Sequence, residues 1–218
     1  MALLGDAAMV LFYDFEGDVA DHDEWHSVEH FHERLSVPGF LRATRYRATS
    51  GGPATLVLYE VTGVDVATSP AYLDRLGAPT EWTRAVMPRF RGMVRGFATV
   101  AASAGFGLGQ AMRAIAFTPQ EGADPGADLD RIAAQPGMAG CYLLSPAPPP
   151  PMTAEQALRG ADRPLAWLML LTAYDTAVLE GVPTKLPGTD PAAYGGTYRL
   201  TLTATAEEAA RTPPPARR

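Results

Sequence analysis

The chain has 218 residues, of which 47% are hydrophobic and 19% charged, and its formal net charge is −6. That length and apolar content support a real core and exclude a disordered chain, and the acidic balance without a basic patch argues against nucleic acid as the partner. The single cysteine, Cys141, excludes an intrachain disulfide and any cysteine-based metal cluster, and no apolar run reaches the ~18 residues of a membrane span. The opening Met1-Ala-Leu-Leu-Gly-Asp6 lacks the charge and length of a secretion signal, so a soluble cytoplasmic protein is the expectation.

Met9 to Phe15 is apolar and aromatic and reads as a buried strand. Asp21, with Glu24 three residues on, offers an N-cap and capping box for a helix over about Asp23 to Leu35, which Pro38-Gly39 stops. Phe40 to Arg47 reads as a second strand with Phe40, Arg42, Thr44 and Tyr46 on one face and Leu41, Ala43, Arg45 and Arg47 on the other. After the turn Ser50-Gly-Gly-Pro53 comes a third strand, Thr55 to Val61. Ser69-Pro70 opens a helix running to about Leu76, another spans about Pro79 to Met87, and Met93 to Ala101 is a fourth strand. The order is β-α-β-β-α-β.

The order recurs downstream, with strands at Met112 to Thr118, Gly140 to Leu144, Leu165 to Leu171 and Thr197 to Thr203, and helices at Asp128 to Ala134 and Tyr174 to Glu180. Gln135-Pro-Gly-Met138 repeats the punctuation of Val37-Pro-Gly-Phe40, and an offset this long indicates a duplicated domain rather than a solenoid. Residues 1–104 form the first unit and 110–205 a degenerate second one, with the glycine-rich Gly105-Phe-Gly-Leu-Gly109 as linker and 206–218 as a frayed or disordered tail. The second unit lacks histidine and carries a proline-rich insertion, Ser145 to Arg163, which reads as a surface loop of polyproline II character. Each unit leaves one apolar sheet face to be covered. The predicted fold class is therefore α+β: two ferredoxin-like repeats whose sheets cover each other as one intrachain pseudo-dimeric α+β barrel, able to assemble further as a homo-oligomer.

All four histidines lie in Asp21-His-Asp-Glu-Trp-His-Ser-Val-Glu-His-Phe-His-Glu-Arg-Leu35. At 3.6 residues per turn, Trp25, Val28, Phe31, His32 and Leu35 form an apolar stripe, and His22, His26, Glu29, His30 and Glu33 flank it. Such a flank is either a solvated polar face or a site for proton transfer, because imidazole exchanges protons near neutrality and a neighbouring carboxylate fixes its tautomer. His26-Ser-Val-Glu-His30 also matches the short H-x-x-E-H pattern of inverted zinc peptidases, a weak signal in this context.

Trp25-His-Ser-Val-Glu-His30, Glu33-Arg-Leu35, Pro38-Gly-Phe-Leu-Arg42 and Arg45-Tyr46 together resemble the EthD-like branch of the dimeric α+β barrel superfamily, over roughly residues 8 to 100. The resemblance implies His26, Glu29 and His30 as the signature polar group. Fold alone does not give a reaction, but the residues make proton transfer the simplest chemistry. Glu29 and Glu33 can each approach His26 or His30, with His30 as general base or acid and His26 as partner or substrate anchor. The expectation is a cofactor-free small-molecule enzyme carrying out isomerisation, cyclisation or similar chemistry on a small apolar or aromatic substrate. Tyr13, Arg45, Tyr46, His22 and Glu33 are then the substrate-binding candidates, the strand residues among them stabilising a carbonyl or enolate oxygen. The alternatives are a non-catalytic ligand-binding or assembly module, and a metal or haem held by the histidine helix.

Overall fold

The computed structural model describes residues 3–182 and 194–212. Its strands are β1 (Ala7–Phe15), β2 (Phe40–Ser50), β3 (Thr55–Val61), β4 (Phe90–Gly105), β5 (Ala111–Phe117), β6 (Met138–Pro146), β7 (Trp167–Ala173) and β8 (Gly195–Thr205). They close into one antiparallel barrel in the order β1-β3-β2-β8-β5-β7-β6-β4. The first four strands run β4-β1-β3-β2 and the last four β8-β5-β7-β6, and the two sets meet at the seams β2–β8 and β4–β6. Closure leaves no strand edge open.

Alternation along each strand sorts side chains into layers. Ala8, Val10 and Phe12 of β1 and Leu56 and Leu58 of β3 fill the barrel interior with Tyr46, Met112, Tyr142, Leu170 and Tyr198. The intervening Met9, Tyr13, Val57 and Tyr59 face outward, beneath helices. A second outer cluster, including Phe117, Leu129, Ile132, Leu143 and Leu179, covers the other half. The strict alternation expected for β2 fails at its start. The register shifts between Phe40 and Arg42, so Phe40 joins the outer layer against Tyr59 and Tyr72 while Tyr46 points inward.

The histidine segment is helical from α1 (Val19–Trp25) through a π-turn (His26–His30) into α2 (Phe31–Leu35). Its cap is Asp18, whose carboxylate accepts from the Ala20 N–H at 2.9 Å, and not the expected Asp21. Asp21 instead accepts from Arg89 at 2.9 Å and from the Trp82 indole at 3.1 Å. In the π-turn the Phe31 N–H reaches back to the His26 carbonyl, one residue farther than in an α-helix. The wider turn changes the expected faces: His22, His26 and His30 are buried with Trp25, Phe31 and Leu35, whereas Val28 and His32 are only half-buried.

The remaining helices cap as their sequences dictate. Ser69 caps α3 (Pro70–Gly77), Thr80 caps α4 (Glu81–Val86) and Asp175 caps α7 (Thr176–Glu180) through side-chain oxygens, and α5 is Leu129–Ala133. The proline-rich insertion differs from the surface loop expected. It crosses the seam as a strap, with the Ala147 N–H bonded to Phe97 O at 2.8 Å and the Arg163 N–H to Met93 O at 2.9 Å. It carries α6 (Ala154–Ala157) onto the helix layer of the first half. The expected disordered tail is also corrected in part: Ala206–Arg211 forms α8, because Thr205 and Glu208 close a capping box. Residues 213–218 lie outside the described residues. Among the described residues no helix is long and apolar enough to cross a membrane.

The two Pro-Gly marks adopt the same geometry. The Phe40 N–H bonds to Val37 O, and the Met138 N–H to Gln135 O, each at 3.1 Å. Gly39 (φ 98°) and Gly137 (φ 86°) are left-handed, as a turn with proline first and glycine second requires. Their carbonyls accept from Thr62 and Tyr174 at 2.9 Å. A Cβ on Gly39 would lie 2.5 Å from Val66 Cγ2, and one on Gly137 2.6 Å from Val178 Cγ2. Gly39→Ala and Gly137→Ala are each expected to lower unfolding stability by about 1–3 kcal/mol, read by urea denaturation. A loss at Gly39 with none at Gly137 would show that the two turns are not equivalent.

Candidate functional site

Between the outer face of β1, β3 and β4 and the helices lies an enclosed cavity. Met9, Leu11, Tyr13, Tyr59, Phe90, Met93 and Arg95 form its floor. Trp25, His26, His30 and Arg34 from the histidine helix form one wall, and Tyr72 and Leu76 of α3 another. The strap closes it with Thr153, Glu155, Gln156 and Arg159. The imidazoles come from the first half, and the strap of the second half closes the cavity over them. Its side chains pack closely enough that it has room for about one water.

The wide helical turn stacks three imidazoles along this wall, with His22–His26 and His26–His30 ring centroids each 5.5 Å apart. His22 sits behind Tyr13: its Nδ1 is 2.9 Å from Asp23 Oδ1 and its Nε2 is 3.0 Å from the Tyr13 hydroxyl. The Asp23 carboxylate, held by Arg47 and lying 3.6 Å from Arg45, can only accept. His22 Nδ1 therefore carries the proton, and the Tyr13 O–H donates to His22 Nε2. The Tyr13 oxygen is left with lone pairs to offer, while its proton is committed.

His26 Nε2 is 3.4 Å from the Tyr59 hydroxyl, and its buried Nδ1 has no hydrogen-bond partner. His30 Nδ1 lies 3.5 Å from Glu33 Oε2, close enough for charge attraction but outside hydrogen-bond geometry. Arg75 donates to the other oxygen of Glu33 at 2.8 Å. Arg34 donates through Nη2 to Glu155 of the strap, while its buried Nη1 has no partner. Arg95 donates to the Tyr72 hydroxyl at 2.6 Å, and that hydroxyl donates to Met9 Sδ at 3.3 Å.

Burial sets the protonation states. It lowers the His22 pKa from an ordinary 6.5 to about 4 against the help of Asp23, and drives His26 well below its usual range, with His30 and His22 adding to the effect. His30 is lowered by burial and by the Arg34 charge. Burial resists ionisation of Glu33, but His30 and Arg75 outweigh it and hold the carboxyl down at about 2. Burial likewise opposes the charges of Arg34 and Glu155; their mutual attraction raises the first and lowers the second. At neutral pH the cavity presents neutral imidazoles beside charged guanidiniums.

The structure gathers some predicted residues and separates others. His26, His30 and Tyr13 line the cavity, with His22 and Glu33 immediately behind them. Glu29 does not: its carboxylate accepts from Thr80 at 2.5 Å and Thr83 at 3.3 Å, on the α4 side of the helix. Arg45 is outside as well, bonding the Asp23 carbonyl and Thr201, each at 3.2 Å. Tyr46 lies in the barrel interior, on the opposite side of the sheet. Sequence reading missed Arg34, Arg95, Tyr59, Tyr72 and Glu155. The outward alternation of Met9, Leu11 and Tyr13 extends across β3 to Tyr59 and could have found that residue. Glu155, in the insertion, carried no such signal.

No family model and no curated protein sequence matches the chain. Solved structures do match it. An anthrone oxidase-like protein superposes over 96% of this chain and 97% of its own, with a TM-score of 0.62 at 13% identity. Candidate monooxygenases of Fusobacterium nucleatum subsp. nucleatum ATCC 25586 and of Lactobacillus acidophilus NCFM match with TM-scores of 0.52 and 0.51, each at 11% identity. They cover 93% and 92% of this chain and 96% of their own lengths. This chain has the dimeric α+β barrel fold. At such identities the likeness is one of fold.

Among the described residues one group could hold a metal: ligand atoms of His30, Glu33 and Glu155 lie within 4.8 Å of one another. Arg34 and Arg75 already neutralise the two carboxylates, so a cation there would have to displace a guanidinium. A haem would have to displace the aromatic side chains that form the walls.

Proton linkage follows from the buried imidazoles. The unfolded chain binds protons near pH 6.5 that the folded chain resists, so stability present above pH 6.5 is lost as pH falls through the folded values. Unfolding free energy should fall between pH 6.5 and 4 with net proton uptake, His22 alone accounting for on the order of 3 kcal/mol. Urea titrations across that range test this; a flat profile would show the imidazoles are not buried neutral.

Proposed function

We propose that the chain is a small-molecule enzyme of the EthD-like branch, performing acid–base chemistry on a small apolar or aromatic substrate. We further propose that its barrel is two fused ferredoxin-like repeats, 1–104 and 110–205. The matching strand orders β4-β1-β3-β2 and β8-β5-β7-β6 and the paired Pro-Gly turns support the repeat reading. The functional reading rests on one observation. His26 and His30, buried and held neutral, line an enclosed aromatic-walled cavity, and each has an Nδ1 without a hydrogen-bond partner. A neutral imidazole in the cavity wall has a lone pair that can take a proton, and Glu33 beside His30 offsets part of the burial that lowers its basicity.

In this scheme His30 takes a proton from the substrate. The imidazolium so formed is stabilised by Glu33, whose carboxylate lies 3.5 Å from Nδ1. Of the two carboxylates the sequence offered for this support, Glu29 and Glu33, it is Glu33 that lies beside His30. His26 lies beside His30, and the Tyr13 oxygen, its own proton directed to His22, accepts from a substrate hydroxyl or water. Substrate entry requires the strap to lift, since the closed cavity has room for about one water.

A panel of small aromatic ketones incubated with the protein in D2O, followed by proton NMR, reports carbon-acid deprotonation directly. At least one ketone is expected to exchange its α-protons faster than in buffer, and His30→Gln to lower that rate by about 100-fold or more. Exchange equal to buffer, or unchanged by the substitution in a folded protein, would remove the proposal.

A further inference from the structure

We infer that the cavity accepts an anionic oxygen, a carboxylate or acidic enolate or phenolate on a small apolar body, and that Arg34 Nη1 is its docking donor. This rests on the cavity being a small-molecule site, as proposed above, and adds the charge of the ligand.

The wall carries three guanidiniums, Arg34, Arg95 and Arg159. Two carboxylates face them. Glu155 accepts from Arg34, and Asp162 accepts from Arg159 at 2.8 and 2.9 Å and lies 3.5 Å from Arg95. Glu33 is engaged by Arg75 and His30, so it does not balance the surplus. Two stacked imidazoles add no charge at neutral pH. One positive charge is thus left in excess within a nearly closed, low-dielectric space, which favours an incoming anion.

The hydrogen-bond inventory points to the same atom. The Tyr13 proton is committed to His22, and the Tyr72 proton to Met9 Sδ. The donors that sequence reading assigned to an oxyanion, Arg45 and Tyr46, lie outside the cavity. Arg34 is 2% exposed, it lines the cavity, and its Nη1 has no acceptor. A buried guanidinium N–H without a partner is costly, and an anionic oxygen is the acceptor that matches it best. His30, whose ring lines the same cavity, would then face a substrate whose developing negative charge Arg34 stabilises.

Benzoate and benzyl alcohol, alike in shape and different in charge, are the probes. They are titrated by calorimetry at pH 7.5, with histidine NMR resonances locating the site. Benzoate is expected to bind at least about 10-fold more tightly and to shift the His30 signals. Arg34→Gln alone strands the buried Glu155 carboxylate and is expected to destabilise the fold, so the decisive variant is Arg34→Gln/Glu155→Gln, which keeps a neutral hydrogen-bonded pair. It should lose the benzoate preference and retain benzyl alcohol binding. Equal binding of the two probes overturns the anion inference and leaves the acid–base reading standing. Because the double variant keeps the one-charge surplus, a preference that survives in it overturns Arg34 Nη1 as the docking donor. Failure of both probes to bind or to shift His30 overturns this inference and the small-molecule site together. Loss of the preference in the double variant, with ketone exchange indifferent to His30→Gln, would keep the anion site and remove the base.

Discussion

The site depends on one backbone hydrogen bond, from the Phe31 N–H to the His26 carbonyl. By taking in one more residue than an α-helical turn, it lets residues before and after the turn share the sheet-facing side. Trp25 and His22 are buried ahead of it, Phe31, Arg34 and Leu35 behind it, and His26 and His30 within it. A uniform 3.6-residue repeat carries the histidines around to the flank, where they would be solvated. The wider turn places them against Tyr13, Tyr59 and Phe31, where solvent cannot support their charged forms. The same bond that decides burial therefore decides protonation state, and with it the chemistry available.

The second determinant is the crossing of the seam. The first four strands make a sheet whose outer face is covered by the histidine helix and α3, but this leaves an opening over Met93 and Arg95. The connection between β6 and β7 fills it. Backbone bonds at Ala147 and Arg163 anchor both ends of the strap, and the buried Arg34–Glu155 and Arg159–Asp162 pairs fix its middle. Buried ion pairs add little net stability but restrict what geometries are allowed. Here the Arg34–Glu155 pair couples the lid of the cavity to the helix carrying His30, so any opening of the strap must alter the partner of Arg34.

Much of this was legible in the sequence and some was not, for identifiable reasons. Strand alternation and the Pro-Gly turns are local signals, so the eight strands and the shared Pro-Gly punctuation at Gly39 and Gly137 could be read directly. The histidine cluster was visible as composition. Its orientation was not, because a π-turn has no residue signature comparable to a proline or glycine. Phe40 was put on the wrong face for a similar reason: one bulge reverses the parity of every residue before it. Arg34 was passed over because an arginine in a helix ordinarily extends to solvent. Its burial is decided by Glu155, more than a hundred positions away, which no periodicity connects to it.

The asymmetry between the halves has a physical logic of its own. Both keep the same turn geometry and strand order, yet the outer face of the second half packs as a continuous apolar cluster of Leu129, Ile132, Leu143, Met169, Leu171 and Leu179 beneath short helices. Among the described residues the helices over that face are short, α5 spanning only Leu129–Ala133. The second half contributes through the connection between β6 and β7, which brings two charged residues, Glu155 and Arg159, to the cavity along with Thr153 and Gln156. A homodimer obeying strict symmetry would have to place the same residues at both faces. Within one chain the two faces can diverge, one supplying the imidazoles and the other the closure over them.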